Sequence, residues 1–87
     1  MGVSIREAAM DCDLRGMTID EAIPQLEMFI DNARLTGIKL LTVIHGKGTG
    51  ALRSAVQQHL KTMPDVDSFR LGKYGEGEDG VTIVSLK

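Results

Sequence analysis

Residues 10–14 alternate, with Met10, Cys12 and Leu14 on one side and Asp11, Asp13 and the following Arg15 on the other. That period of two is the pattern of a half-buried strand. Gly16 ends it, and Thr18 with Glu21 three residues on forms a capping box that predicts a helix start. The predicted helix carries an apolar stripe of Ile23, Leu26, Ile30 and Ala33, and Gly37 is placed to end it in the left-handed conformation. Pro24 lies beyond the first turn, where it removes a hydrogen bond, so a kink or a late start is expected. Residues 39–45 are apolar on both faces and rich in Leu, Val and Ile, which predicts a central strand. The glycine-bearing turn 46–50 leads into a second helix, with Leu52, Val56 and Leu60 every four residues and Pro64 at its exit. Residues 66–71 and 81–86 read as two further strands joined by residues 72–80.

The order is therefore β-α-β-α-β-β, an α/β two-layer sandwich with a four-stranded mixed sheet and two helices. Helical crossovers make the first three strands parallel, so their carboxyl ends share one edge, where ligands of open α/β sheets bind. A last strand antiparallel to the third starts from that same edge. Eighty-seven residues suit one domain, assigned to 10–87, with residues 1–9 as a lead-in segment the pattern does not resolve.

The longest apolar run, 40–44, is too short to span a bilayer, and the N-terminus lacks the pattern of a signal peptide. A cytoplasmic protein without a membrane partner is expected. Cys12 is the only cysteine, which excludes an internal disulfide and a cysteine-based zinc site. The formal charge of −2 argues mildly against nucleic acid, whose binders usually carry excess positive charge. Its distribution changes that picture. Acidic residues concentrate on the first helix (Asp20, Glu21, Glu27, Asp31), whereas Arg15, His45, Lys47, Arg53, Arg70 and Lys73 fall in or beside the glycine turns.

At the shared edge the first strand delivers Asp13 and Arg15, the second His45 with the turn Gly46, Lys47, Gly48, Thr49 and Gly50, and the third Arg70 and Lys73. The turn feeds a helix N-terminus, whose free N–H groups and dipole favour an anion such as phosphate, with Lys47 and Arg53 adding charge. The same glycines also serve a plain tight turn. His45 exchanges protons near neutrality, although a histidine ending an apolar strand is commonly a packing residue. Asp13 and Arg15 form either a structural ion pair or a functional couple, with Arg15 holding phosphate and Asp13 orienting His45, activating a nucleophile or holding a metal. Asp11 and Glu76 are further candidate carboxylates for a divalent ion, magnesium or manganese, which DNA as substrate would call for. Gly75 and Gly77 flank Glu76 in the last turn, and Cys12 faces the core with no assigned chemistry.

Asp13-Leu14-Arg15-Gly16, then His45-Gly46-Lys47-Gly48-Thr49-Gly50-Ala51-Leu52-Arg53, then Gly75-Glu76-Gly77 with Gly80-Val81-Thr82, resemble the three signatures of small MutS-related (Smr) domains. Their order and spacing are most similar to the C-terminal domain of bacterial second-type MutS proteins. The resemblance implies a fold similar to the C-terminal domain of translation initiation factor three, and DNA nicking or RNA cleavage. It further implies a larger, homodimeric ATPase parent acting on branched DNA or ribosomes, in recombination control or ribosome rescue. The alternative is a non-catalytic DNA-, RNA- or ribosome-binding module. By motif position Asp13, Arg15, His45, Gly46 and Gly48 match the family's signature residues. Cys12 stands where the family usually has Leu or Ile, and Glu78 where it commonly has Gly; an added carboxylate there would repel a polyanion.

Overall fold

A computed structural model describes residues 10–87, so the lead-in 1–9 lies outside the described residues. The elements are β1 (Met10–Asp13), α1 (Ile19–Thr36), β2 (Leu40–Ile44), α2 (Ala51–Leu60), β3 (Val66–Leu71), a short 3-10 turn (Glu78–Gly80) and β4 (Val81–Leu86). The sheet order is β1-β2-β4-β3. β1 runs parallel to β2, and β4 runs antiparallel to both of its neighbours, β2 and β3. The first three strands thus share a direction, and β4 is threaded back between the second and the third. This insertion carries β3 three strand spacings from β1, roughly 14 Å at about 4.8 Å each.

Paired residues of neighbouring strands point to one side, so the register sorts the sheet into two faces. Cys12, Val43 and Thr82 share the face under the helices, as do Met10, Leu41, Val84 and Phe69. Leu41, Val43, Val84 and Leu86 join Leu14, Ala22, Leu26, Ile30, Ala33, Val56 and Leu60 in one core. Full burial of a leucine or isoleucine side chain contributes about 1.5–3 kcal/mol, which makes this layer the main source of stability. The opposite face presents Asp11, Asp13, Thr42, Ile44, Val81, Ile83 and Arg70 by the same register.

The capping box forms as expected, the Thr18 hydroxyl accepting from the Glu21 N–H and Glu21 accepting from the Thr18 N–H. Gly37 ends α1 at φ 79°. Two expectations need correction. The buried stripe begins at Ala22, with Ile23 only half-buried, because Ala22, Leu26, Ile30 and Ala33 follow the helical repeat more closely. Of the kink or late start expected at Pro24, the late start does not occur: α1 runs from Ile19 through Pro24. The N–H that proline lacks would have met the carbonyl of Asp20, an exposed residue in the first turn of the helix. β2 lies inside the sheet, but only one of its faces is sealed, and Leu40 remains 52% exposed.

Candidate nucleic-acid interface

The carboxyl ends of β1 and β2 and the start of β4 meet at one corner, held there by backbone hydrogen bonds. Leu14 N–H donates to the Ile44 carbonyl at 2.8 Å, while the His45 and Gly46 N–H groups both donate to the buried Gly80 carbonyl, at 3.1 and 2.9 Å. A Cβ on Gly80 would stand 3.2 Å from Lys47 Cγ, and one on Gly46, at φ 84°, would stand 3.3 Å from Arg15 Cγ. Glycine at these positions lets two cationic stems lie against backbone.

Between those stems lies a shallow groove of about 330 Å³, lined by Arg15, Ile44, Gly46, Lys47, Gly77, Gly80 and Val81. Its floor belongs to the sheet face opposite the helices. Beside it the turn 46–50 enters α2, whose first turn has no acidic residue. The Thr49 hydroxyl accepts from the Ala51 N–H at 3.2 Å, and Gly50, at φ 88°, supplies the left-handed entry. Gly48 has open space around it.

Carboxylates face the cations of this edge. Arg15 donates through Nε (2.9 Å), NH2 (2.7 Å) and its backbone N–H (3.0 Å) to Asp13. These hydrogen bonds hold the Asp13 carboxyl at about 2. The pair lies in solvent, with the side chains 62% and 50% exposed, so it adds little stability. Lys47 Nζ meets Glu78 at 3.2 Å and Asp79 at 3.7 Å, and Arg53 meets Asp79 at 3.8 Å. Arg70 donates to Glu76 at 2.8 and 3.2 Å, and the Lys73 N–H donates to Glu76 at 2.7 Å. Hydrogen bonds from Arg70 and from the Lys73 backbone pull the Glu76 carboxyl down to about 2.

His45 sits on the other side of the sheet from Asp13 and is 5% exposed. Its Nδ1 lies 3.1 Å from the Gly46 carbonyl and its Nε2 2.8 Å from the Thr82 hydroxyl, which also accepts from Gln57 at 3.3 Å. A carbonyl only accepts, so Nδ1 carries the proton and Nε2 of the neutral ring accepts from Thr82. Burial pushes the imidazole pKa down; the Gly46 carbonyl opposes this, Arg53 lowers it further and Asp79 raises it.

The structure thus brings Arg15, Lys47, Arg53 and the turn 46–50 to one corner, with Arg70 of β3 and Lys73, Gly75 and Glu76 of the following turn on its flank. It does not hydrogen-bond Asp13 to His45: Arg15 takes the carboxylate, and Gly46 and Thr82 take the ring. Asp11, Asp13 and Glu76 do not gather as a set of three, since the described residues contain no group of three such side chains able to hold a metal ion. β4, inserted between β2 and β3, separates Glu76 from the β1 carboxylates, and Arg15 and Arg70 occupy Asp13 and Glu76. Gln57, Asp79 and Ile44 were not singled out from the sequence as site residues, and Val81 and Thr82 entered only within the third signature, with no role assigned. Thr82 alone carried a further signal, a polar residue between apolar ones in a strand.

The Smr domain family matches residues 12–87. The chain is 51% identical over its whole length to the endonuclease MutS2 of Ruminiclostridium cellulolyticum, covering 11% of that protein. It is 53% identical over 90% of its length to the endonuclease MutS2 of Caldicellulosiruptor bescii, covering 10% of it. The chain therefore spans about a tenth of the curated relatives it matches. Among solved structures, the Smr domain of Thermus thermophilus MutS2 superposes with a TM-score of 0.88 at 42% identity, covering 90% of this chain and 98% of that one. YdaL, a stand-alone small MutS-related protein from Escherichia coli, gives 0.84 at 25% identity, over 88% of this chain and 63% of its own. With the family matched from β1 to the last residue and the fold shared with its solved members, the chain belongs to the Smr family.

Proposed function

We propose that this domain binds nucleic acid by its phosphates at the β1-β2-β4 corner and cuts a phosphodiester bond there, as the C-terminal part of a larger protein. The observation that carries the reading is the convergence of Arg15, Lys47 and Arg53 on a glycine turn that opens a helix N-terminus free of acidic residues. Relatives that share half of its residues are named endonucleases. Arg15, Lys47 and Arg53 hold phosphate, with Arg70 and Lys73 extending the track, and Asp13 and His45 are the proposed proton-transfer groups. On RNA the 2′-hydroxyl gives its proton to a base as its oxygen attacks phosphorus, and the 5′-oxygen leaves and takes a proton, so the substrate supplies its own nucleophile without a metal. On DNA water attacks phosphorus and gives up a proton while an ester oxygen leaves and takes one; a divalent ion, if used, would be held by Asp13 with Asp11 or Glu76 and would activate that water. In the cell we place the domain in the cytoplasm, in a homodimeric ATPase acting on branched DNA or ribosomes. No helix among the described residues is long and apolar enough to cross a membrane.

A second reading, a binding module without cleavage, is favoured by the burial of His45 and the engagement of both its nitrogens. Incubating the domain with supercoiled plasmid and with structured RNA, with and without chelator, separates the two. Cleavage that falls about 10²–10⁴-fold in folded His45→Ala, with binding retained, supports the active site. If folded His45→Ala and Asp13→Asn proteins both cut at the wild-type rate, the proposed active site is wrong; if nothing is cut while binding persists, the module reading stands.

A further inference from the structure

The groove beside Lys47 has a feature that phosphate binding leaves unused. Its lining joins apolar Ile44 and Val81 to the side chains of Arg15 and Lys47, whose charged ends are held by Asp13 and by Glu78 with Asp79, carboxylates that a bound phosphate would displace. Val81 is 6% exposed, with Gly77 and Gly72 close to its two methyls, and Ile44 is half-buried, so the open apolar surface of the floor comes mainly from Ile44. The wall formed by Gly77 is drawn in to backbone thickness: a Cβ there would stand 2.6 Å from a Val81 methyl. A duplex presents phosphates and sugars to such a corner and keeps its apolar base faces stacked inside. An unstacked base, by contrast, offers a flat apolar face for the floor and a phosphate on either side for the rim.

We propose that this groove takes one unpaired nucleotide, its base lying on Ile44 and Val81 under the Arg15 guanidinium and its flanking phosphates on Arg15 and Lys47. The inference rests on the nucleic-acid reading above and narrows it to single strands, gaps and bulges. Arginine planes stack on bases, which substitutes here for an aromatic platform. Tyr74, the one tyrosine, stands 94% exposed and does not line the groove. Because every base has an apolar face, the groove does not discriminate strongly among the four.

The test compares a fully paired DNA duplex with the same duplex carrying a one-nucleotide gap opposite 2-aminopurine, titrated by anisotropy and by the fluorescence of that base. Stacking of one base is worth about 1–3 kcal/mol, so the gapped duplex should bind about fivefold or more tightly, with a change in 2-aminopurine emission. Ile44→Thr keeps the β-branched shape and puts a hydroxyl on the floor; it should shrink that preference and the emission change, after a melting curve shows it folded. Val81→Thr gives an independent second reading of the floor. Equal affinity for gapped and paired duplex, both falling with salt, overturns the base site and leaves phosphate binding intact. Binding to neither overturns both.

Discussion

Glu78 is the one non-glycine residue among those described with a positive φ, 53°, and its carboxylate lies 3.2 Å from Lys47 Nζ. Two consequences follow, one for the backbone and one for charge. The left-handed conformation costs an ordinary residue about 1–2 kcal/mol, and the carboxylate occupies the ammonium that a phosphate would use. Glu78→Gly should relieve both, raising the melting temperature by about a few degrees and tightening DNA binding about two- to fivefold at low salt. Glu78→Gln should tighten binding with little gain in stability, because it keeps the side chain at the same φ. Melting curves and titrations on the two variants separate the effects, and unchanged or weaker binding by Glu78→Gln would remove Glu78 as a competitor of phosphate. The sequence made Glu78 visible as a departure from the family pattern, but not its partner. Which cation a loop carboxylate meets depends on how residues 72–80 fold back onto the corner, and no periodicity encodes that.

At the scale of elements, His45, Thr82 and Gln57 join β2, β4 and α2 through a chain of hydrogen bonds that suits a neutral ring. Burial lowers the folded pKa of His45 below its ordinary value near 6.5, so the unfolded chain binds the extra proton more readily. The sign is then fixed: this contribution is complete above about 6.5 and is lost as pH falls from there through the depressed folded value. Denaturation midpoints measured between about pH 7 and pH 5 should decline, and His45→Asn should flatten that part of the decline; an identical slope in wild type and variant would contradict the burial argument. The elements themselves were largely legible. Thr18 with Glu21, the Leu26-Ile30-Ala33 spacing and Gly37 act within one or two turns, and their outcome is local. Of the two outcomes expected at Pro24, a kink or a late start, the late start does not occur, because the capping box at Thr18 already fixes the first turn. The side of the sheet that His45 faces was readable from alternation with Leu41 and Val43, but the Thr82 partner depends on β4 entering beside β2.

Over the whole molecule, the topology explains both what converges and what does not. A shared direction for β1, β2 and β3 follows from two helical crossovers, so the edge that collects Arg15, Lys47 and Arg70 was foreseeable. The strand order was not: a β-hairpin after α2 is compatible with β4 either beside β2 or outside β3, and only the first arrangement puts Gly80 under Lys47.

The net charge of −2 takes its local form from the same arrangement, since Asp13, Glu78, Asp79 and Glu76 lie against Arg15, Lys47, Arg53 and Arg70. Phosphate must exchange with these carboxylates, and each one released recruits a counterion of its own, offsetting the counterions that nucleic acid sheds. Five cations binding phosphate unopposed (the four above with Lys73) would give a slope of log K against log salt of about −4.5, at about −0.9 per contact. The exchange predicts a shallower slope, little dependence on base sequence, and weak affinity at physiological salt. Lys47→Ala should lower affinity for unrelated sequences by a similar factor and reduce the slope by about one or less. Titrations of two unrelated duplexes from low to high salt read all of this at once. A slope at or beyond about −4.5 would mean the carboxylates do not compete, and a strong sequence preference that survives high salt would mean the domain reads bases by more than its phosphate-binding corner.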